Sequence, residues 1–222
     1  MLGIYAIQKF SSLDFPNRLS CILWFSGCNM RCPYCYNKDI VFGKKQIEKD
    51  EVIEFLKTRV GLLDGVVFTG GEATLYKDIV PFAKKIKNLG FEIKLDTNGI
   101  NFEVIKELID KKLVDYIALD FKAPKNKFYE ITKNKNYEKF EKTLDFLINS
   151  NIKFEVRTTV HTDLLDEEDI NEIIKVLKDK GYKGVYYLQN FFDVETLDNL
   201  PPQKRKLDTS KLIEFPIELR NF

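Results

Sequence analysis

Six short, largely apolar runs recur along the chain, at residues 20–25, 65–69, 91–96, 116–120, 154–160 and 184–189. Between them lie stretches with the period of amphipathic helices, at 49–60, 76–89, 102–112, 137–150 and 167–180. Apolar strands that alternate with helices predict a parallel sheet, because a helical crossover brings the next strand back in the same direction. Six units are too few to close an eight-stranded barrel. The pattern therefore predicts an α/β fold of the partial TIM barrel kind, a partly open (β/α)6 barrel of parallel strands. It also predicts one domain over residues 1–192. The remaining residues, 193–222, with Pro201-Pro202 and a charged stretch from Gln203 to Asp208, read as an irregular tail packed on or beside the barrel.

A chain of 222 residues can bury one substantial core. Thirty-five basic residues balance thirty-four acidic ones, which leaves no electrostatic footprint for nucleic acid. No secretory signal is visible, and no apolar run approaches the roughly 18 residues of a membrane span, so the sequence reads as cytoplasmic and without a membrane partner. Three of the four cysteines are crowded into eight positions, which favours metal chemistry in a reducing compartment over a disulfide framework.

Those three, Cys28, Cys32 and Cys35, form a C-x3-C-x2-C loop directly after the first apolar run. Three thiolates can hold three irons of a 4Fe-4S cluster and leave the fourth iron open to chemistry. A structural zinc site needs a fourth ligand and usually draws on two separated pairs. Here the remaining candidates are Cys21, inside the apolar run and read as a small core residue, and the lone His161, read as a surface or capping residue.

Parallel barrels gather their chemistry at the C-terminal ends of their strands. Polar clusters sit at just such ends: Thr69-Gly-Gly-Glu72, Asp96-Thr-Asn-Gly99 and Asp120-Phe-Lys122. At Gly70, Gly71 and Glu72, small residues allow close approach of a ligand and a carboxylate can receive an ammonium group. Asp96, Thr97, Asp120 and Lys122 read either as a ribose, carboxylate or cation site or as structural ion pairs. Arg157 lies on the fifth apolar run, and period-two alternation leaves its face undecided. The lysine-rich stretch 122–139 reads as a solvated amphipathic face.

The cysteine spacing, with Tyr34 as an aromatic just before the third cysteine, resembles the signature of the radical S-adenosylmethionine (radical SAM) superfamily. The resemblance implies a partial barrel in which the open iron chelates S-adenosyl-L-methionine. It makes Gly70-Gly71-Glu72 the motif that binds the amino group of that cofactor, with Ala73 where a proline is usual. It places Tyr34 near the adenine and Asn37 near the sulfurs or the cofactor, although a turn-forming asparagine fits Asn37 equally well. The runs Asp96-Thr-Asn-Gly99 and Leu119-Asp-Phe-Lys122 are similar to those of glycyl-radical-enzyme activating enzymes. There the paired aspartates and the threonine surround a monovalent cation, the lysine is nearby, and an arginine at the position of Arg157 faces the site.

The segment Ser11-Ser-Leu-Asp-Phe-Pro-Asn-Arg18 and the run Cys35-Tyr-Asn-Lys38 narrow the resemblance, over about residues 10 to 190, to those activating enzymes. Within them the likeness is to the branch that serves anaerobic ribonucleoside-triphosphate reductase, with the branch for pyruvate formate-lyase a near relative. By that resemblance Asp14 contacts the target loop and a flavodoxin or ferredoxin-type donor reduces the cluster. Cleavage of S-adenosyl-L-methionine then yields a radical that takes a hydrogen atom from a glycine of a partner glycyl radical enzyme. No second cysteine-rich insertion is present, as in a compact single-cluster form. Two other readings share parts of this pattern. One is a radical SAM enzyme acting on a small molecule, in the manner of 7-carboxy-7-deazaguanine synthase. The other is a non-enzymatic iron-sulfur carrier or zinc-stabilised binding module.

Overall fold

The computed structural model describes residues 2–222. In chain order the elements are β1 (Ile4–Ser11), β2 (Ser20–Phe25), α1 (Lys38–Phe42), α2 (Lys49–Lys57), β3 (Gly65–Gly70), α3 (Ile79–Asn88), β4 (Glu92–Thr97) and α4 (Phe102–Asp110). They continue with β5 (Tyr116–Asp120), α5 (Phe128–Thr132), α6 (Tyr137–Ile148), β6 (Lys153–Val160), α7 (Glu167–Asp179), β7 (Tyr186–Asn190) and β8 (Ile217–Arg220). The eight strands lie in chain order in one open α/β sheet, and β2 pairs with β3, β3 with β4, β6 with β7 and β7 with β8 in parallel.

The six apolar runs are β2 to β7, and each helical pattern contains a helix. Four of the five helices stop within two residues of the expected end, and α2 stops three short. Around α4 the reason is visible at Lys112, which takes a left-handed φ of 53° that no helix continues. Two strands were not expected. β1 pairs antiparallel to β2, and register shifts between Ile4 and Ala6 and between Gln8 and Ser11 break the alternation that would have marked it. The stretch read as an irregular tail contains β8. Its four residues are too few for a periodic signal, and a charge explains why they dock. Glu155 on β6 is buried, and Arg220 reaches both of its oxygens at 3.3 and 3.2 Å while lying 3.7 Å over the Tyr187 ring.

The chain folds as two compact units, residues 2–29, 39–97 and 101–118 in one, and 30–38, 98–100 and 119–222 in the other. In the first, Cys21, Leu23 and Phe25 share one face with Val66, Phe68, Ile93 and Leu95, all inaccessible to solvent. Phe68 stacks on Phe82 of α3 with centroids 6.0 Å apart. Cys21 is thus a core residue, its thiol pushed up to about 12 by burial. The other face carries Ile22 and Trp24 of β2, Val67 and Thr69 of β3, and Lys94 and Asp96 of β4. Phe15 packs against Ile22 and Val67 and covers the apolar part of this face.

In the second unit the core side of β6 and β7 is Val156, Thr158, Val160, Tyr186 and Leu188, with Ile170, Ile173, Ile174 and Leu177 of α7 buried alongside. Their other side carries Arg157, Thr159, Tyr187 and Gln189, all partly exposed. The helix α5, inside the lysine-rich stretch, buries Phe128, Ile131 and Thr132, so that stretch is only in part a solvated face.

The stretch after β7 is held to α7 by Glu167. Its carboxylate accepts from Arg205 at 2.6 and 2.9 Å and from the Asp208 backbone at 2.7 Å. The Arg205 hydrogen bond, against the opposing effect of burial, brings Glu167 from its ordinary 4.5 down to about 2. A depressed carboxyl contributes stability above its unfolded pKa, and that stability is lost as pH falls through the folded value. With Arg205 half exposed the contribution is about 1 to 2 kcal/mol, after discounting for solvent. Glu167→Gln should therefore unfold earlier in urea than wild type at pH 6, and the gap should close between pH 4.5 and 2. A gap independent of pH would refute the linkage.

Candidate functional site

In the first unit the ends of β2 and β3 meet backbone to backbone. Gly71 N donates to Phe25 O and Glu72 N donates to Gly27 O, both at 2.8 Å. A Cβ on Gly71 would lie 2.0 Å from the Gly27 carbonyl oxygen and 3.4 Å from the Cys28 Cβ. Gly70 has φ +117°, and a Cβ there would meet the Phe25 nitrogen at 2.5 Å. The two glycines are therefore required first by the turn that carries Cys28, a demand that comes before any ligand's.

Glu72 is almost wholly buried (2 % exposed). Its Oε1 accepts from the Thr74 hydroxyl at 2.6 Å, the Thr74 backbone at 3.2 Å and the Thr97 hydroxyl at 2.9 Å. Thr74 is fixed in turn by Asn101, whose amide donates to its carbonyl at 2.8 Å. Three donors thus orient a carboxylate at the strand ends, a geometry suited to an ammonium ligand. Asp96 takes 2.5 Å from Lys94 Nζ, two residues earlier on the same strand face, and 3.2 Å from the Thr69 hydroxyl.

In the second unit Cys32, Tyr34 and Cys35 follow one another through a turn closed by Cys35 N to Cys32 O at 3.0 Å. Burial pushes the Cys32 thiol up to about 11, and Lys122 opposes this. Tyr34 is buried, its phenol pushed well up by the loss of solvent, and its hydroxyl donates to the Lys122 carbonyl at 3.4 Å. Asp120 sits between Arg157 Nε at 2.5 Å and Lys122 Nζ at 3.0 Å. Burial alone would raise Asp120, but the two cations outweigh it and hold the carboxyl at about 2. Burial likewise disfavours charge on Lys122, yet Asp120 prevails and raises it. Phe121 N to Arg157 O at 2.9 Å and the Thr158 hydroxyl to Phe121 O at 2.6 Å lock the end of β5 to β6.

The face of Arg157 is now determined: it lies with Asp120 on the polar side of its strand. Asp96 and Asp120 each have a protein cation against them, so neither needs a bound metal ion for charge balance. Asn37 is half-buried directly before α1, a place where asparagine opens a helix. His161 is fully buried, not on the surface. Its Nδ1 accepts from Asp163 N at 3.3 Å and Nε2 donates to Pro201 O at 3.0 Å, a capping role.

Asp14 is exposed in a turn where the Ser11 hydroxyl bonds its carboxylate, and Ser11 pairs with Ser20 at the start of β2. The cysteine loop leaves the other end of that strand, roughly 17 Å away for six residues. Residues that the sequence reading overlooked are Lys94 and Thr74. The first had a signal, because Lys94 and Asp96 at i and i+2 must share a strand face.

The donor set fits a cluster. None of the four cysteines is in a disulfide, and three lie within one short loop. Among the described residues no three His, Cys, Asp or Glu side chains converge as they would on one metal ion. The cysteines of a 4Fe-4S cluster each bind a different iron and do not need such convergence.

An open, mostly parallel sheet with a cysteine loop and a Gly-Gly-Glu turn at adjoining strand ends defines an α/β enzyme of the partial-barrel class. The chain belongs to the radical SAM superfamily, whose model matches residues 22–180. It is 37 % identical over 205 residues to a Methanocaldococcus jannaschii protein named for activation of glycyl-radical enzymes, covering 88 % of this chain and 82 % of that one. It is 30 % identical over 179 residues to the pyruvate formate-lyase 1-activating enzyme of Escherichia coli K12, covering 75 % and 70 %. It is an enzyme of this activating type. Superfamily membership implies a 4Fe-4S cluster and S-adenosyl-L-methionine as cofactors.

Among solved structures, Streptococcus suis SuiB bound to its precursor peptide superposes with a TM-score of 0.67 at 16 % identity, over 84 % of this chain and 42 % of that one. The structure of anSMEcpe with bound AdoMet gives 0.61 at 24 % identity, over 76 % and 50 %. Both show the shared fold. The chain spans half or less of the length of these two structures.

Gly71→Ala should fold as apoprotein but take up markedly less iron on anaerobic reconstitution, because its Cβ displaces the Gly27 carbonyl beside Cys28. Iron per chain and visible absorbance measure this. Full loading of that variant would show that the contact is dispensable.

Proposed function

We propose that the chain installs a glycyl radical on a partner enzyme, with an anaerobic ribonucleoside-triphosphate reductase as the partner and a flavodoxin or ferredoxin-type protein as the electron donor. The observation that carries this reading is the likeness to activating enzymes along most of the chain, 205 residues for the M. jannaschii relative. Cys28, Cys32 and Cys35 would hold the cluster. Bound there, the reduced cluster supplies the electron that cleaves S-adenosyl-L-methionine and so provides the radical that takes the glycine hydrogen atom.

The chain's own residues bind and orient. Glu72, fixed by Thr74 and Thr97, receives the cofactor's ammonium group, and Gly70 and Gly71 let the strand end approach it. Tyr34 closes the buried side of the loop. Lys122 and Arg157 keep Asp120 ionised, so that this end of β5 presents a fixed, charged wall. Holding the reacting groups in one geometry is worth orders of magnitude in rate, and a small displacement of the target hydrogen is correspondingly costly.

With dithionite, the wild type should convert S-adenosyl-L-methionine to methionine and 5'-deoxyadenosine. Glu72→Gln should keep its iron but bind the cofactor about tenfold or more weakly, the loss of one buried charge-assisted contact. Unchanged affinity would exclude Glu72 as the partner of the cofactor's ammonium group.

Mixed with an anaerobic ribonucleotide reductase, the wild type should produce an electron paramagnetic resonance doublet that changes when the partner's glycine is deuterated. Arg157→Ala should lower the yield of that doublet while iron is retained. If no cognate partner gains the doublet while a small molecule is consumed in step with the cofactor, the small-molecule reading replaces this one.

A further inference from the structure

In the second unit, residues 191–200 lie across the backbone that carries Cys32 and Cys35. Leu197 N donates to Cys35 O at 2.9 Å and Asp198 N to Pro33 O at 3.3 Å. With Cys32 O already taken by Cys35 N, three carbonyls of the four-residue run from Cys32 to Cys35 are bonded, two of them by this one segment. Phe192 N donates to the Tyr36 hydroxyl at 2.7 Å, and the Tyr36 ring packs 5.7 and 6.2 Å from those of Phe191 and Phe192. Lys38 pairs with Glu195.

The segment is pinned at both ends. Phe191 N donates to Val160 O at 2.9 Å, and its ring meets His161 edge to face at 4.6 Å. At the far end His161 Nε2 donates to Pro201 O at 3.0 Å; the bond accepted at Nδ1 fixes that tautomer. Between them Thr196 is fully buried, and its hydroxyl accepts from Leu200 N at 3.0 Å.

We propose that residues 191–200 are a strap that positions the second half of the cysteine loop for the cluster, with the Leu197 N–H and the Tyr36 hydroxyl as its fastenings and His161 as its anchor. A cluster held by three cysteines lacks the fourth protein bond that would otherwise stiffen its loop. The stiffness has to come from the loop's outer partners, and such partners typically govern metal retention by 10- to 100-fold. This inference rests on superfamily membership and not on the activating role, so its failure would leave that role standing.

The test is the rate at which reconstituted, oxidised protein yields iron to a ferrous chelator under anaerobic, mildly reducing conditions, with the cluster's midpoint potential measured alongside. Leu197→Pro removes the N–H donor, whereas Leu197→Ala keeps it. Tyr36→Phe removes one hydroxyl and keeps the ring. Leu197→Pro should lose iron about tenfold faster than wild type and Tyr36→Phe several-fold faster, by the magnitude known for outer partners of metal ligands. Leu197→Ala should match wild type in rate and potential.

Circular dichroism of the apoproteins shows whether each variant folds. If Leu197→Pro does not fold, Tyr36→Phe decides. Wild-type iron loss from folded Leu197→Pro or from Tyr36→Phe overturns the proposal, as does a Leu197→Ala variant that loses iron as fast as the proline.

Discussion

The Gly27 carbonyl and the Gly71 α-carbon are so close that no side chain fits between them. That contact is the constraint on which the first unit's chemistry depends. It joins the end of β2 to the end of β3 through Gly71 N to Phe25 O and Glu72 N to Gly27 O, so the first cysteine and the buried carboxylate are placed by the same two hydrogen bonds. Parallel strands make this economical, because their register already brings Phe25 beside Gly70. A side chain at Gly70 or Gly71 would have to move backbone, and backbone at a strand end cannot move without shifting the residues it carries.

Charge on the polar faces is settled locally in each unit. Lys94 meets Asp96 along β4, while Lys122 and Arg157 meet Asp120 at the end of β5. Glu155 takes its counter-charge from Arg220 on β8. Removing one partner of a buried pair costs about 3–5 kcal/mol, because an uncompensated charge remains in a poor solvent. These pairs are therefore weak devices for stability but strong ones for fixing which side chain points where. They also explain why β8 forms at all, since a four-residue strand has little burial of its own to hold it.

Much of this was legible in the sequence. The six apolar runs and the polar residues at their ends follow from period and from strand polarity, and both depend on local sequence alone. What was not legible depends on partners distant in the chain. β1 hides behind register shifts, β8 depends on Glu155 some sixty residues earlier, and the strap binds the cysteine loop mostly through backbone groups, which leave no signature in residue type. The side-chain contribution of Tyr36 could not be seen either, because its hydroxyl accepts from a backbone N–H about 150 residues later.

The place of Asp14 follows from the topology of the first two strands. Because β1 runs antiparallel to β2, the connection between them returns to the start of β2, and everything in it shares an end with Phe15 and the apolar plug. The strand that leads out to Cys28 also carries Asp14 away from it. Phe15 needs that end closed, since Ile22 and Val67 would otherwise be exposed to water at the base of the sheet. The segment Ser11 to Arg18 thus has a sufficient structural purpose in sealing the apolar end, and Arg18 adds to it by pairing with Glu92 at the start of β4. The polar end is left to the loops that follow the strands, and there Glu72 and Asp120 are each held in one orientation by two or more independent contacts.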